Sequence, residues 1–191
     1  MKPLLAAALA ALLPACAPLI TQSPGHGLSP VNAVDEGGDR HLMLFGYDVV
    51  SFFTDKQPGK GLATIKSVYK DVTFRFASAE HKALFDAAPE RYIPQFGGYC
   101  SNGIVYAVPW GGDVEQWKII DGKLYMFGGH GSMDAFMLHP AENMALANKY
   151  WNEEVNGSNA FIQRTRRVIF HVPHWKTSKE LAEEVARAKK G

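Results

Sequence analysis

Three features of this 191-residue chain predict an α+β fold, a small antiparallel sheet covered by helices. Tyr69, Phe74 and Phe76 alternate along one run, which gives way near Ala79 to a helical run carrying Leu84 and Phe85 on one face. The apolar period therefore changes from that of a strand to that of a helix within one segment. Asp121-Gly122 lies between two further apolar runs, a strong signal for a tight hairpin turn, and Pro89 marks the exit from the first helical run.

The N-terminus is expected to direct the chain out of the cytoplasm. Met1 and Lys2 precede an apolar stretch from Leu4 to Leu13, shorter than the ~20 residues a spanning helix needs. It ends at Leu13-Pro14-Ala15-Cys16, similar to the site at which a lipoprotein signal peptidase cuts, and small Ala15 suits that cut. Residues 1–16 are thus expected to be a signal peptide, with Cys16 then lipidated and the chain anchored on the periplasmic side of a bacterial cell envelope. An ordinary cleaved signal, with no role for Cys16, is the alternative. Residues 17–40 hold Pro18, Pro24 and Pro30 without a sustained apolar period and read as a linker. The remainder is long enough for one core, expected over 41–151, with an extension over 152–191.

Within that core, strands are expected over 47–53, 66–70, 72–77, 104–108, 116–120 and 123–127. Val49, Phe53, Phe74, Phe76, Trp117, Ile119 and Leu124 would form the buried face. Helices are expected over 79–87 and 132–138, then over 141–151 with Met144, Ala147, Asn148 and Trp151 on one side. The pattern also echoes itself. Asp71, Phe74 and Phe76 match Asp121, Leu124 and Met126; after a one-residue slip, Phe85 and Pro89 match Phe136 and Pro140. Two similar strand-strand-helix units are the expectation. In the extension, Arg164 to Arg167 form a basic cluster, Val168 to Val172 read as a strand, and Thr177 with Glu180 make a capping box for a final helix through Lys190.

Four short motifs follow one another in order: Gly46 to Phe53 (GYDVVSFF), Phe74 to Ser78 (FRFAS), Ala88 to Tyr92 (APERY) and Pro94 to Cys100 (PQFGGYC). Together they resemble the YHS domain family over roughly residues 45–151, and more closely its branch of secreted or lipid-anchored proteins. The resemblance implies a small α+β module. Its metal-handling members carry cysteines in an F-C-S-x-x-C-K arrangement; this chain has Phe76-Ala77-Ser78-Ala79-Glu80-His81-Lys82, so Ala77 and His81 stand where those thiolates would be. A rebuilt copper or zinc site would have to draw on His81, Cys100 and His130, since imidazole and thiolate suit both metals. For His81, beside Glu80 and Lys82, an ordinary surface position is the competing reading.

The formal net charge of +1 gives no electrostatic footprint for nucleic acid. With Cys16 lipidated, Cys100 is the last thiol and has no disulfide partner, which leaves burial, metal ligation or reactivity. Tyr47, Asp48, Tyr99 and Trp110 are candidates for lining a ligand pocket, although Asp48 equally suits a turn and the aromatics suit a core. Met126, Met133, Met137 and Met144, with His130 and His139, read as core filler more readily than as a cuprous site. His171 and His174 are separated by a spacing that does not share a strand face. Gly128 to Ser132 lacks a phosphate-loop lysine, and a flexible loop capped by Ser132 is the simpler reading. No local motif supports a cysteine hydrolase, so a thiol enzyme ranks below a binding module. Two functions follow: an envelope binding module for a small ligand or for a metal such as copper or zinc, or a cofactor-free interaction module that meets an envelope partner through residues 152–191.

Overall fold

Gly37 and Gly38, both at positive φ, turn the chain between Ala33–Glu36 (β1) and Asp39–Met43 (β2), which pair antiparallel. The structure, a computed structural model, describes residues 31–190; the expected signal peptide, Cys16 and linker residues 17–30 lie outside that range. The linker expectation is corrected from residue 31 onward. Val31, Ala33, Leu42 and Met43 are buried, and the two strands are too short to show a period.

The first unit follows with Tyr47–Asp48 (β3), Ser51–Thr54 (α1), Gly59–Lys60 (β4), Leu62–Tyr69 (β5), Val72–Phe76 (β6), Ala79–Ala87 (α2) and Pro89–Tyr92 (α3). The strand expected over 47–53 ends at Asp48, because its carboxylate accepts the Val50 N–H and turns the chain into α1. The main sheet has the order β1-β2-β6-β5. β2 pairs with β6 in parallel, through Leu42 opposite Thr73, so the sheet is mixed where an antiparallel one was expected. The fold is α+β as the sequence predicts.

A second unit repeats the first 51 residues later, from Leu62 to Asp113 and from Phe76 to Phe127. Its elements are Ser101–Val105 (α4), Asp113–Ile120 (β7), Lys123–Phe127 (β8), His130–Leu138 (α5) and Pro140–Tyr150 (α6). β5 and β7 carry the same irregularity, between Leu62 and Lys66 and between Asp113 and Trp117. The hairpin turns coincide: Lys70-Asp71 and Asp121-Gly122 both have positive φ, as a type I′ turn requires. Ala88 and His139 share an unusual backbone (φ −152, ψ 66 and φ −136, ψ 65) and each precedes a proline that starts a helix. Phe45 and Phe96, and Lys56 and Ala107, also share left-handed φ values. The one-residue slip in the expected alignment is thereby removed, since Lys70 rather than Asp71 matches Asp121.

The strand expected over 104–108 is instead the end of α4 and a turn closed by the Val108 N–H on the Gly103 carbonyl. Ile104, Val105, Ala107 and Val108 are all buried, so that run is apolar on every side and has no strand alternation. β7 and β8 form their own two-stranded sheet. Leu124 and Met126 of β8 join the apolar cluster around Phe52, Phe74, Phe76 and Phe85; Tyr125 and Phe127 join a second around Tyr99, Ile104, Phe136 and Tyr150. Of the expected sheet face, Val49, Phe74, Phe76 and Leu124 are buried, and Phe53, Trp117 and Ile119 pack against the same cluster.

The extension begins with a wide π turn over Trp151–Val155 and continues as Ala160–Ile169 (α7) and Ser178–Ala188 (α8). α8 starts with the expected Thr177/Glu180 capping box. The strand expected over Val168–Val172 is absent from the described residues, because α7 runs to Ile169 from an Asn159 cap. The extension docks on the second unit: Gln163 donates to the Ala107 carbonyl at 3.1 Å, and His174 Nε2 bonds the Val105 carbonyl at 2.9 Å. Among the described residues no helix is long and apolar enough to cross a membrane.

A Cβ at Gly61 would sit 2.5 Å from the Arg75 backbone, and one at the equivalent Gly112 would sit 2.5 Å from the Gly98 carbonyl and 2.7 Å from Met126 Cβ. Gly61→Ala and Gly112→Ala should each cost about 1–3 kcal/mol in urea unfolding. Gly131→Ala, in open space within α5, should be neutral or stabilising. Asp39 gives a second test. A hydrogen bond from Lys66, joined by one from Arg75 at 2.7 Å, holds its carboxyl below the ordinary range against the opposing effect of burial. The folded state therefore binds fewer protons here than the unfolded state, so this stabilisation is complete above the unfolded value near ~3.9 and is lost as pH falls through the lower folded value. Asp39→Asn should lose stability at neutral pH and show a smaller further loss on acidification than the parent, read from urea midpoints across that pH range.

Candidate functional site

Asp48 is the most heavily bonded buried carboxylate of the first unit. Its residue has no exposed surface, which is costly for a charge unless every lone pair is used. One oxygen accepts the Val50 N–H at 2.8 Å; the other accepts the Ala77 N–H at 2.8 Å and the His81 Nδ1–H at 2.7 Å. These donors come from the start of α1, the end of β6 and the first turn of α2, so one side chain ties three elements together. Ser78 supports the arrangement by capping α2 through the His81 N–H.

With Nδ1 donating to Asp48, His81 Nε2 faces Thr54 Oγ1 at 3.2 Å and Asp55 Oδ1 at 3.6 Å. The spacing resembles an acid-histidine-hydroxyl relay. Yet the single Thr54 hydroxyl hydrogen is also within reach of Asp55 Oδ1 at 2.8 Å and the Val50 carbonyl at 3.2 Å, which compete with the imidazole for it.

The second unit holds the counterpart. Tyr47 and Asp48 pair with Lys60 and Gly59, and Tyr99 pairs with Gly111, the equivalent of Lys60. Tyr99 and Cys100 therefore stand where Tyr47 and Asp48 do, with Gly98 as a local extra residue. Ala77 becomes Gly128 and His81 becomes Ser132. The Cys100 thiol lies 3.6 Å from Ser132 Oγ and against Gly128, so a charged, multiply bonded node in one unit is a weakly polar contact in the other.

The expected site residues separate accordingly. His81 is held by Asp48 in the first unit, Cys100 is buried in the second, and His130 is 71 % exposed in its side chain, 3.5 Å from Asp134. The described residues contain no group of three or more His, Cys, Asp or Glu able to hold a metal, so the copper or zinc trio does not fit this arrangement. Tyr47 and Asp48 belong to one unit, Tyr99 to the other; Asp48 and Tyr99 are fully buried, while Trp110 is half exposed beneath Arg164. His171 stacks on Trp175 and His174 on Tyr106, so these histidines also serve packing. Met126 fills the core and Met133 and Met144 pack against the second cluster. Gly129, not Ser132, is the cap position of α5; Ser132 Oγ instead donates to the Gly129 carbonyl at 2.8 Å.

A surface feature escaped the sequence expectations. Ile162, Ile169 and Phe170 are about two-thirds exposed (65, 63 and 67 %), and Val168 is 44 % exposed. At about 100° per residue, Phe161, Ile162, Thr165, Val168 and Ile169 share one face of α7, turned away from Ala160 and Gln163 on the docked side. Helical spacing in AFIQRTRRVI carried this signal, but the β-branched run from Val168 hid it. Comparison with known proteins finds no matching family model, no matching curated protein and no matching solved structure.

Removing the two counterparts should have unequal cost. Asp48→Ala strands the imidazole N–H, the buried Val50 amide and the Ala77 amide and should lose about 3–5 kcal/mol. Cys100→Ala removes a small buried thiol and should lose about 1 kcal/mol. Equal shifts in denaturant midpoint would contradict the assignment of Asp48 as the polar tie of the first unit.

Proposed function

We propose that this chain is a cofactor-free interaction module of a bacterial cell envelope, built on a duplicated YHS-like scaffold and making contact through the outward face of α7. The observation that carries this reading is the row Ile162, Val168 and Ile169, exposed together on one face of α7 in a domain whose other large apolar side chains are mostly buried. Contiguous apolar surface of this kind marks a site that another surface covers. The scaffold assignment is supported by the ordered motifs from Gly46 to Cys100. The envelope assignment is supported by the signal-like N-terminus ending at Cys16. A metal-binding reading draws less support, because His81 is held by Asp48 in the first unit while Cys100 faces Ser132 in the second.

Cysteine labelling tests the proposal in cells that express the full chain. Ile169→Cys places a thiol on the face, and buried Cys100 supplies a slow internal reference. The new thiol should react with a small permeant maleimide at least about fivefold more slowly in intact cells than after detergent solubilisation, as expected for a covered site. Equal rates would sink the reading.

A further inference from the structure

From Val155 to Lys179 the chain carries Arg164, Arg166, Arg167, Lys176 and Lys179 and no aspartate or glutamate. The cations are placed with respect to the apolar face. At about 100° per residue, Arg164 and Arg166 fall on opposite flanks of the stripe formed by Phe161, Thr165, Val168 and Ile169. Arg167 is turned inward, where its Nε donates to Glu154 at 2.7 Å, and Lys176 is paired with Glu184. Arg166 and Lys179 stay at the surface. Arg164 reaches back to the Pro109 carbonyl at 3.0 Å and covers the ring of half-exposed Trp110, so an amphipathic aromatic borders the same region. An apolar stripe flanked by cations, with a tryptophan at its margin, is the composition of a helix that lies in a membrane interface.

From this placement we infer that the outward face of α7 seats on the surface of a lipid bilayer containing anionic lipid, an inference that rests on the reading of the chain as an envelope interaction module. Ile162, Val168 and Ile169 enter the boundary between headgroups and acyl chains, and Arg166 meets the lipid phosphates. Two considerations favour a bilayer over a second copy of the chain. Self-association through this face would bring the flanking arginines of both copies together, a like-charge arrangement that disfavours pairing. Fourteen residues lie between Cys16 and Val31, a reach of at most about 50 Å, so a chain anchored at Cys16 stays within a domain's width of the membrane. The face then acts as a second attachment, which an acyl anchor needs to fix the orientation of the domain.

The test uses residues 17–191, which contain every residue of the described fold and omit the apolar N-terminal run, with Cys100 left in place. Co-sedimentation is measured with vesicles of phosphatidylglycerol mixed with phosphatidylcholine and with vesicles of phosphatidylcholine alone. The mixed vesicles should bind the protein at least about tenfold more tightly, and added salt should weaken that binding. Ile169→Asp, on the exposed face, and separately Arg166→Glu should each reduce binding roughly tenfold, with unchanged circular dichroism. Absence of binding to the mixed vesicles, binding indifferent to both substitutions, or a concentration-dependent dimer abolished by Ile169→Asp would each overturn the inference. If Ile169→Cys is shielded in cells while vesicles fail to bind, the lipid assignment falls and the interaction module stands. If the thiol is open in cells, the module reading itself falls.

Discussion

The arrangement depends on β8 having no solvent face. Leu124, Tyr125, Met126 and Phe127 are all buried, and they alternate between two apolar clusters, one built mainly from the first unit and one from the second. A two-residue period that is apolar on both sides is what a strand between two cores requires. It also limits the backbone beside it. Gly112 lies so close to Met126 and to the Gly98 carbonyl that a single added carbon would overlap both, so the approach of this edge to β8 depends on a missing side chain.

Duplication explains this geometry, and divergence explains its chemistry. In both units one strand face covers the unit's own helix: Phe74 and Phe76 pack on Phe85 in the first, and Phe127 packs on Phe136 in the second. The opposite face has gone two ways. Thr73 and Arg75 are polar and bond to Arg40 and Asp39 of β2, whereas their equivalents Leu124 and Met126 are apolar and complete the first unit's core. The same split occurs one layer away, where Asp48 and His81 form a charged tie and Cys100 and Ser132 a weak one. A buried carboxylate survives only where three donors converge, and in the second unit Ser132 takes the place of the imidazole donor.

Much of the fold was legible in the sequence because the signals were local. The 79–87 helix, the Asp121-Gly122 turn, the Pro140 helix and the Thr177 capping box each rest on contacts within a few residues. The β1-β2 hairpin was not legible, since four- and five-residue strands buried by distant segments show no period of their own. α4 was misread for the opposite reason: its surroundings bury it on every side, which erases the difference between helix and strand patterns. The equivalence of Asp48 with Cys100 was hidden by one residue, since the extra Gly98 and a hairpin matched one position out of register conceal the common spacing. The separation of His81 from Cys100 and His130 follows from their lying in different units, which no pairwise spacing along the chain displays.

The extension covers a place where the two units differ most in polarity. Asp55-Lys56-Gln57-Pro58 in the first unit is an open, polar loop beside His81; its equivalent is Tyr106-Ala107-Val108-Pro109, with Ala107 and Val108 buried and Lys56 and Ala107 sharing the same left-handed backbone. Backbone carbonyls of this second loop would be left without donors by an apolar covering alone. Gln163 on Ala107, Arg164 on Pro109 and His174 on nearby Val105 supply those donors while Val172 and Trp175 pack over the aromatic neighbours. Ala160, Gln163 and Arg164 of α7 are thus taken up by docking. Helical geometry then leaves Ile162, Val168 and Ile169 on the side away from the domain, so the exposed face follows from the same interactions that hold the extension in place.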